Sequence, residues 1–303
     1  MIILNSLFPV FGLLILGGLL KRWNFTNDGF LKTADKLIYF VFFPLMLFWK
    51  IGSARVSEFQ NGLYLAVVVA IGIVFILSII SLKLFRISSY QAGSFSQSCY
   101  RFNTYVGVAI VMNALGDEGI QYFGILIGII IPIINVLVII VLIWHSGENY
   151  SYRQRVEYSA KALVSNPLII GCVLGITYSG TLGTFPVFLN NTFSLISMIT
   201  LPLALLSIGG VLTFDSLRNY FRVSLIASVL KLVILPLAGY TLLNYLDVTG
   251  VAFKTGMIFF ALPTSTSVYV LSAQLNSDTD LASASIVLST ILSFIPLSIV
   301  LLL

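Results

Sequence analysis

The chain has 303 residues, of which 58% are hydrophobic and only 9% are charged, whereas soluble domains carry about 25% charged residues. This composition, with a mean hydropathy of +1.04, excludes a soluble globular protein and predicts an all-α integral membrane protein. The net charge of +5 is explained by basic residues in membrane-protein loops, so we expect no nucleic-acid partner.

Apolar windows between charged or turn-rich segments predict ten transmembrane helices, because a span needs about 20 residues. The predicted spans lie at about residues 2–20, 33–50, 61–83, 93–115, 120–144, 161–180, 187–210, 221–245, 253–274 and 280–303. The first window lacks a basic start and a cleavage site, so we expect a span and not a removable signal peptide. The fourth and ninth windows are interrupted by polar runs in their middle.

Lysine and arginine fall mainly on one side of this predicted topology. Eleven lie in or beside the connections that follow odd-numbered spans, three lie on the other side, and Arg101 and Lys231 lie inside spans. Cytoplasmic loops retain positive charge. We therefore predict a multi-pass plasma-membrane protein with both termini on the extracytoplasmic side.

The most polar connection, residues 145–161, divides the chain into two halves of five spans, residues 1–150 and 151–303. An odd number of spans in each half reverses the orientation of the second half. The arrangement therefore predicts two inverted repeats.

Two alignments between the halves support this prediction. Residues 37–52 align with 195–210, and residues 100–117 align with 261–278, in the same order along each half. The second alignment pairs the two polar-interrupted spans. Discontinuous helices at matching places in inverted halves indicate the substrate site of a transporter.

Arg101 is the most unusual residue of the predicted spans. A guanidinium remains charged and costs at least about 3 kcal/mol at a helix centre unless it is paired or hydrated. Its own span contains no acidic residue before Asp117 and Glu118, so Arg101 suits a substrate carboxylate, which arginine binds through two parallel hydrogen bonds. Alternatively, Arg101 bonds carbonyls freed by a broken helix, or reaches the membrane surface from a displaced span.

Pro263 stands beside four hydroxyl residues in the ninth span. A proline removes a backbone donor, so we expect the helix to unwind there; a merely kinked helix is the alternative. Asn135 in the fifth span suits either the same site or helix packing. The candidate substrate-binding residues are Gln97, Arg101, Asn103, Thr104, Asn135, Pro263, Thr264, Ser265, Thr266 and Ser267.

Catalytic and metal chemistry are not indicated. Cys99 and Cys172 lie in apolar stretches without the spacing of a redox or zinc site, and His145 is the only histidine. Without buried histidine or paired carboxylates we expect no enzyme, no metal and no cofactor.

Two further features of the spans concern coupling and packing. Lys231 has two interpretations, a side chain that reaches the membrane surface and a residue that couples transport to an ion.

Several glycines are expected to let helices approach closely. They are Gly12, Gly17, Gly18, Gly171 and Gly175.

The runs SFSQSCYRFNTYVGVAI, LPTSTSVYVLSAQL and LIYFVFFPLMLF resemble the auxin efflux carrier family in its bacterial branch, and the similarity covers essentially the whole chain. The resemblance implies ten helices in inverted repeats, with scaffold and transport domains each built from both repeats. The fold is similar to that of the bile acid/sodium symporters. The family resemblance also implies an elevator-type secondary transporter of organic anions. These anions are malate or malonate in bacterial relatives and indole-3-acetate in plant relatives.

Residue by residue, the family's fourth-helix crossing maps onto Arg101, Asn103 and Thr104, and its ninth-helix crossing onto Pro263 and the hydroxyl residues after it. The short central connection and the Arg-Phe-Asn run depart from the plant pattern, which argues against auxin. A coupling ion, proton or sodium, and a homodimer are compatible with the resemblance. An anion channel and a sodium-coupled organic anion symporter are the alternative functions.

Overall fold

The computed structural model describes residues 2–53, 60–145, 165–181, 184–212, 216–274 and 276–303. These residues form helices with short connections and contain no strand, as the composition predicts. The helices are α1 (Ile2–Arg22), α2 (Asp28–Leu37), α3 (Phe43–Gly52), α4 (Asn61–Leu84), α5 (Ser89–Tyr100), α6 (Thr104–His145), α7 (Pro167–Thr181), α8 (Val187–Val211), α9 (Leu217–Val229), α10 (Leu235–Tyr245), α11 (Gly250–Ala261), α12 (Ser267–Gln274) and α13 (Thr279–Val300).

Two π-helical segments, Ile38–Phe42 and Leu230–Ile234, join α2 to α3 and α9 to α10. Each segment ends two residues before a proline, Pro44 or Pro236. A proline has no N–H, and its ring displaces the carbonyl four residues earlier, which here belongs to the π-helical segment. The wider π turn accommodates the proline without ending the helix.

Six helical stretches of the described residues are long and apolar enough to cross a bilayer. They are Asn5–Arg22, Asn61–Leu84, Ser89–Leu142, Val187–Val211, Leu217–Tyr245 and Thr279–Val300. Pro167–Thr181 and Gly250–Ala261 are shorter apolar helices. The protein is therefore a multi-pass membrane protein, and the arrangement of ten spans in inverted repeats stays a prediction.

The chain divides into two compact units. The first unit comprises Met1–Gln60, Tyr105–Ile129 and Val164–Leu212, and the second unit comprises Asn61–Thr104, Ile130–Leu163 and Thr213–Leu303. Each unit combines segments from both predicted halves. The predicted boundary at residue 150 lies outside the described residues.

In the first unit, α1 and α8 approach each other at glycines. A Cβ added to Gly17 would collide with the backbone carbonyl of Leu206, and one added to Gly209 would collide with that of Leu14. Such contacts allow tight packing where lipid provides no hydrophobic drive between helices. The packing prediction is wrong for Gly12, around which a Cβ would find open space. Backbone atoms of neighbouring helices also lie against Gly18, Gly171 and Gly175.

Two ion pairs lie at helix ends of the first unit. The ammonium of Lys21 lies 2.8 Å from the carboxylate of Asp28, and its hydrogen bond lowers the pKa of that exposed carboxyl. The ammonium of Lys50 lies 2.9 Å from the carboxylate of Asp117. Asp117 follows Gly116, whose φ of 64° bends α6 in a conformation that favours glycine.

Candidate substrate-binding site

Two helices of the second unit break at the places that the sequence predicts. Helix α5 ends at Tyr100 and α6 begins at Thr104, while α11 ends at Ala261 and α12 begins at Ser267. Residues 101–103 form the first break and residues 262–266 form the second break. The two breaks together are called the crossing. Extended backbone ends the first helix of each pair, with ψ of 136° at Arg101 and 145° at Leu262.

The two breaks hydrogen-bond to each other. The backbone N–H of Asn103 donates to the carbonyl of Pro263 at 2.9 Å, and the hydroxyl of Thr264 donates to the carbonyl of Ser98 at 2.9 Å. A broken helix leaves carbonyls without their helical donors, and in lipid such groups must be satisfied within the protein. Each break therefore supplies donors that the other break needs.

A third element also bonds the backbone of the second break. The backbone N–H of Thr264 donates to the hydroxyl of Ser289 on α13 at 3.1 Å. Sequence reasoning missed Ser289, although the hydroxyl pair Ser289 and Thr290 within the otherwise apolar residues 286–292 is a recognisable signal.

The half-buried guanidinium of Arg101 lies at the crossing. Its Nε donates to the hydroxyl of Ser267 at 3.0 Å, and its Nη2 donates to the side-chain oxygen of Asn135 at 3.1 Å. Both acceptors are neutral, so these bonds orient the guanidinium without neutralising its charge. The structure thus brings together three of the predicted residues, from the first break, α6 and α12.

Three hydroxyl residues at the end of the second break and the start of α12 are partly exposed. They are Ser265, Thr266 and Ser267. The hydroxyls of Ser265 and Ser267 share a hydrogen bond of 2.6 Å. Ser267 is also the first residue of α12, where the N-terminal end of a helix carries a positive partial charge. Hydroxyls, a helix N-terminus and a guanidinium are groups that bind anions.

The other predicted residues are buried in the framework of the crossing. Thr264 is 1% exposed and Asn103 is 2% exposed, and their bonds join the two breaks. Pro263 supplies the carbonyl that Asn103 contacts, and Thr104 is the nearly buried first residue of α6.

Gln97 is a fully buried residue of α5 whose side chain contacts α12. Its Nε2 donates to the carbonyl of Val268 at 3.3 Å and to the hydroxyl of Ser272 at 3.0 Å. Because only the NH2 end of a side-chain amide can donate to a carbonyl, the contact with Val268 sets the orientation of the amide. Its Oε1 accepts no hydrogen bond from any residue that the structure describes.

A cluster of buried serines beside Gln97 was not predicted as a unit. The hydroxyl of Ser94 donates to that of Ser272 at 2.7 Å and to that of Ser277 at 3.0 Å. The serines at positions 94, 96 and 98 of α5 were a sequence signal for this polar half-helix. Within the described ranges, no group of three His, Cys, Asp or Glu residues could hold a metal ion.

Residues 2–301 match a family model described as membrane transport protein. The chain belongs to this family. The family membership that we predicted from its resemblance to the auxin efflux carriers is confirmed. A protein named as an uncharacterized transporter, from Methanocaldococcus jannaschii, is 20% identical over 303 residues, which cover 97% of this chain and 96% of that protein.

Proposed function

We propose that this member of the membrane transport protein family is a secondary active transporter of small organic anions. The observation that supports this most directly is the half-buried guanidinium of Arg101 at two mutually bonded helix breaks. Interrupted helices of this kind place backbone dipoles and polar side chains at membrane depth, where a transporter binds its substrate.

The proposed substrate is a carboxylate. In a substrate complex, Arg101 would bind the carboxylate through two parallel hydrogen bonds, with Asn135 and Ser267 orienting the guanidinium. Ser265 and Thr266 add partly exposed hydroxyls, while Gln97, Asn103, Thr104, Pro263 and Thr264 maintain the shape of the crossing. Small carboxylates such as malate and malonate, and auxin-like acids, are the candidates that the family resemblance supplies.

The proposed mechanism is alternating access by an elevator-type movement in the plasma membrane. The second unit contains every residue of the crossing, so we assign it as the transport domain and the first unit as the scaffold. The family resemblance extends this proposal to a homodimer.

Sodium-coupled symport is a second candidate, and Gln97 favours it. A buried amide oxygen that accepts no hydrogen bond from the described residues is a suitable ligand for a small hard cation. A channel for anions would use the same residues, but its flux would not accumulate substrate against a gradient.

The proposal is tested by uptake of labelled malate, malonate and indole-3-acetate into liposomes that contain the purified protein. Proton and sodium gradients are imposed separately to identify the coupling ion. Loss of a hydrogen-bonded charge costs about 1.5–3 kcal/mol, so we expect Arg101→Ala to lower the apparent affinity about 10- to 150-fold. Arg101→Lys keeps the charge but not the two-pronged geometry, so it should restore uptake only in part.

Arg222→Ala is the matched control, because Arg222 is an exposed residue of α9 and its loss should leave uptake unchanged. Normal transport by a folded Arg101→Ala variant would remove Arg101 from the site. Flux that is linear with substrate concentration and insensitive to both gradients would indicate a channel.

A further inference from the structure

Lys231 is a buried lysine in the second unit that the proposed substrate site does not use. It lies in the π-helical segment Leu230–Ile234 and is 0% exposed. The sequence interpretation in which Lys231 reaches the membrane surface is therefore wrong. An amine that is buried in this way requires a bonding partner inside the protein.

The partner of Lys231 is a carbonyl of the broken helix α11. Its Nζ donates to the carbonyl of Phe260 at 3.4 Å. In an unbroken helix that carbonyl would accept the N–H of the residue four positions later, Thr264. The N–H of Thr264 instead donates to Ser289. Lys231 thus supplies the donor that the Phe260 carbonyl lost at the break.

Two further carbonyls near the break have also changed their donors. The carbonyl of Phe259 would have bonded the N–H of residue 263, but a proline has no N–H. The Phe259 carbonyl instead accepts the N–H of Leu262 at 3.4 Å. The carbonyl of Pro263 accepts the N–H of Asn103. Phe260 and Pro263 thus take donors from outside this helix, and of these two donors Lys231 is the ionisable one.

The protonated form of Lys231 suits this position. The final carbonyls of a helix carry a negative partial charge, and a cation there is stabilising. A protonated amine is a stronger donor than a neutral one. Loss of the proton therefore weakens the bond to Phe260 and favours return of the Thr264 N–H to that carbonyl, which would rewind the break.

Several titratable or charged side chains lie on the helices packed against this π-helical segment, which are α4, α5, α9, α10, α11 and α13. They are Tyr64, Lys83, Tyr90, Cys99, Tyr100, Arg218, Tyr220, Arg222, Tyr240, Tyr245, Lys254 and Asp280. Among the described residues, Lys231 hydrogen-bonds the carbonyl of Phe260 and none of these side chains. The carboxylate of Asp280 accepts the hydroxyl of Ser216.

We propose that Lys231 is a positioning residue that keeps the second break open, and that its protonation state sets how strongly the crossing binds an anion. This inference rests on the proposed function for its substrate, but its effect on the break does not. Because Arg101 bonds Ser267 just after the break, rewinding of residues 262–266 would displace a partner of the guanidinium.

The test measures carboxylate affinity in liposomes from mildly acidic pH to the ordinary lysine pKa of about 10.4, for the wild type, Lys231→Met and Lys231→Arg. Wild-type affinity should fall as the pH rises and Lys231 loses its proton. Lys231→Met should bind about tenfold more weakly than the wild type at mildly acidic pH and lack this loss at higher pH. Lys231→Arg stays charged, so it should bind at mildly acidic pH and retain its affinity at alkaline pH.

Lys254→Met is the matched control, because it removes a half-buried lysine from the opposite end of α11 and should preserve both affinity and pH profile. Amide hydrogen exchange of residues 262 and 264–266 is measured on the same four proteins without substrate. We expect an exchange rate in Lys231→Met that differs at least about threefold from the wild type, and wild-type rates in Lys231→Arg and Lys254→Met.

A Lys231→Met protein with the wild-type pH profile and wild-type exchange would overturn the proposal. A loss of carboxylate affinity in Lys254→Met equal to that in Lys231→Met would also overturn it. If Lys231→Met does not fold, the comparison of the wild type with Lys231→Arg decides. The same loss of affinity with rising pH in both proteins would refute the role of the proton. Absence of carboxylate uptake by the wild type would instead refute the proposed function, while the exchange comparison still decides on Lys231.

Discussion

Thr264 uses both its backbone and its side chain to hold the crossing. Its N–H donates to Ser289, and its hydroxyl donates to the carbonyl of Ser98. The hydroxyl is predictable as a polar group from the sequence, but its acceptor lies 166 positions away. Sequence reasoning therefore identified the residue as part of the polar shell of the substrate site, and the structure adds that its hydroxyl joins the two breaks.

We predict that Thr264→Val destabilises the protein by about 1–3 kcal/mol, because it leaves the buried Ser98 carbonyl without that donor. Thermal unfolding in detergent measures the change. Thr255→Val is the control, because Thr255 is buried in α11, the helix that precedes the break. Its hydroxyl bonds the carbonyl of Val251 four residues earlier, and a helical N–H also donates to that carbonyl. Equal destabilisation by both variants would show that the bond between the breaks is unimportant.

Arg101 and Lys231 show how far a charged residue can be interpreted from its sequence. Both were predicted inside apolar spans, and both lie in the second unit. Their environments differ in a way that no local pattern predicts, because Arg101 bonds two side chains of other helices and Lys231 bonds one backbone carbonyl.

At the level of elements, helix breaks and helix contacts have different sequence signals. The breaks of the crossing were predicted because a proline and polar runs interrupt apolar windows. Close approach between helices was predicted from glycine alone, and this signal does not distinguish Gly17, which lies against Leu206, from Gly12, which has open space.

We predict opposite effects for two alanine variants of α1. Gly17→Ala places a methyl group against the backbone of Leu206, which cannot move aside as a side chain can, so α1 and α8 must separate and stability falls by about 1–3 kcal/mol. Gly12→Ala finds open space and should be neutral or stabilising by up to about 1 kcal/mol. Unfolding midpoints in the same detergent compare the two, and a stable Gly17→Ala protein would contradict the close contact.

At the level of the whole molecule, orientation in the membrane is set by charge and not by packing. Lys83 and Arg86 lie beside the end of α4, whereas the end of α10 has no basic residue nearby before Lys254. Because cytoplasmic loops retain positive charge, the end of α4 is predicted to be cytoplasmic and the end of α10 extracytoplasmic.

Cysteine labelling in intact cells tests this orientation. Leu84→Cys and Tyr245→Cys replace residues that are 70% and 83% exposed, and the native Cys99 and Cys172 are buried, so the wild type is a low-background control. A membrane-impermeant maleimide should label Tyr245→Cys in intact cells and Leu84→Cys only after permeabilisation. The reverse pattern would place both termini in the cytoplasm.

The sequence by itself determined the helical membrane class, the family, the positions of most apolar helices and the two interrupted ones. These properties depend on local composition and on single residues such as Pro263 and Arg101, because hydropathy and backbone donors are local quantities. The tertiary structure alone decided that Asn103 bonds Pro263, that Thr264 bonds Ser98, and that Lys231 bonds Phe260. Such bonds join residues far apart in the chain, so only the packing of the helices brings donor and acceptor together.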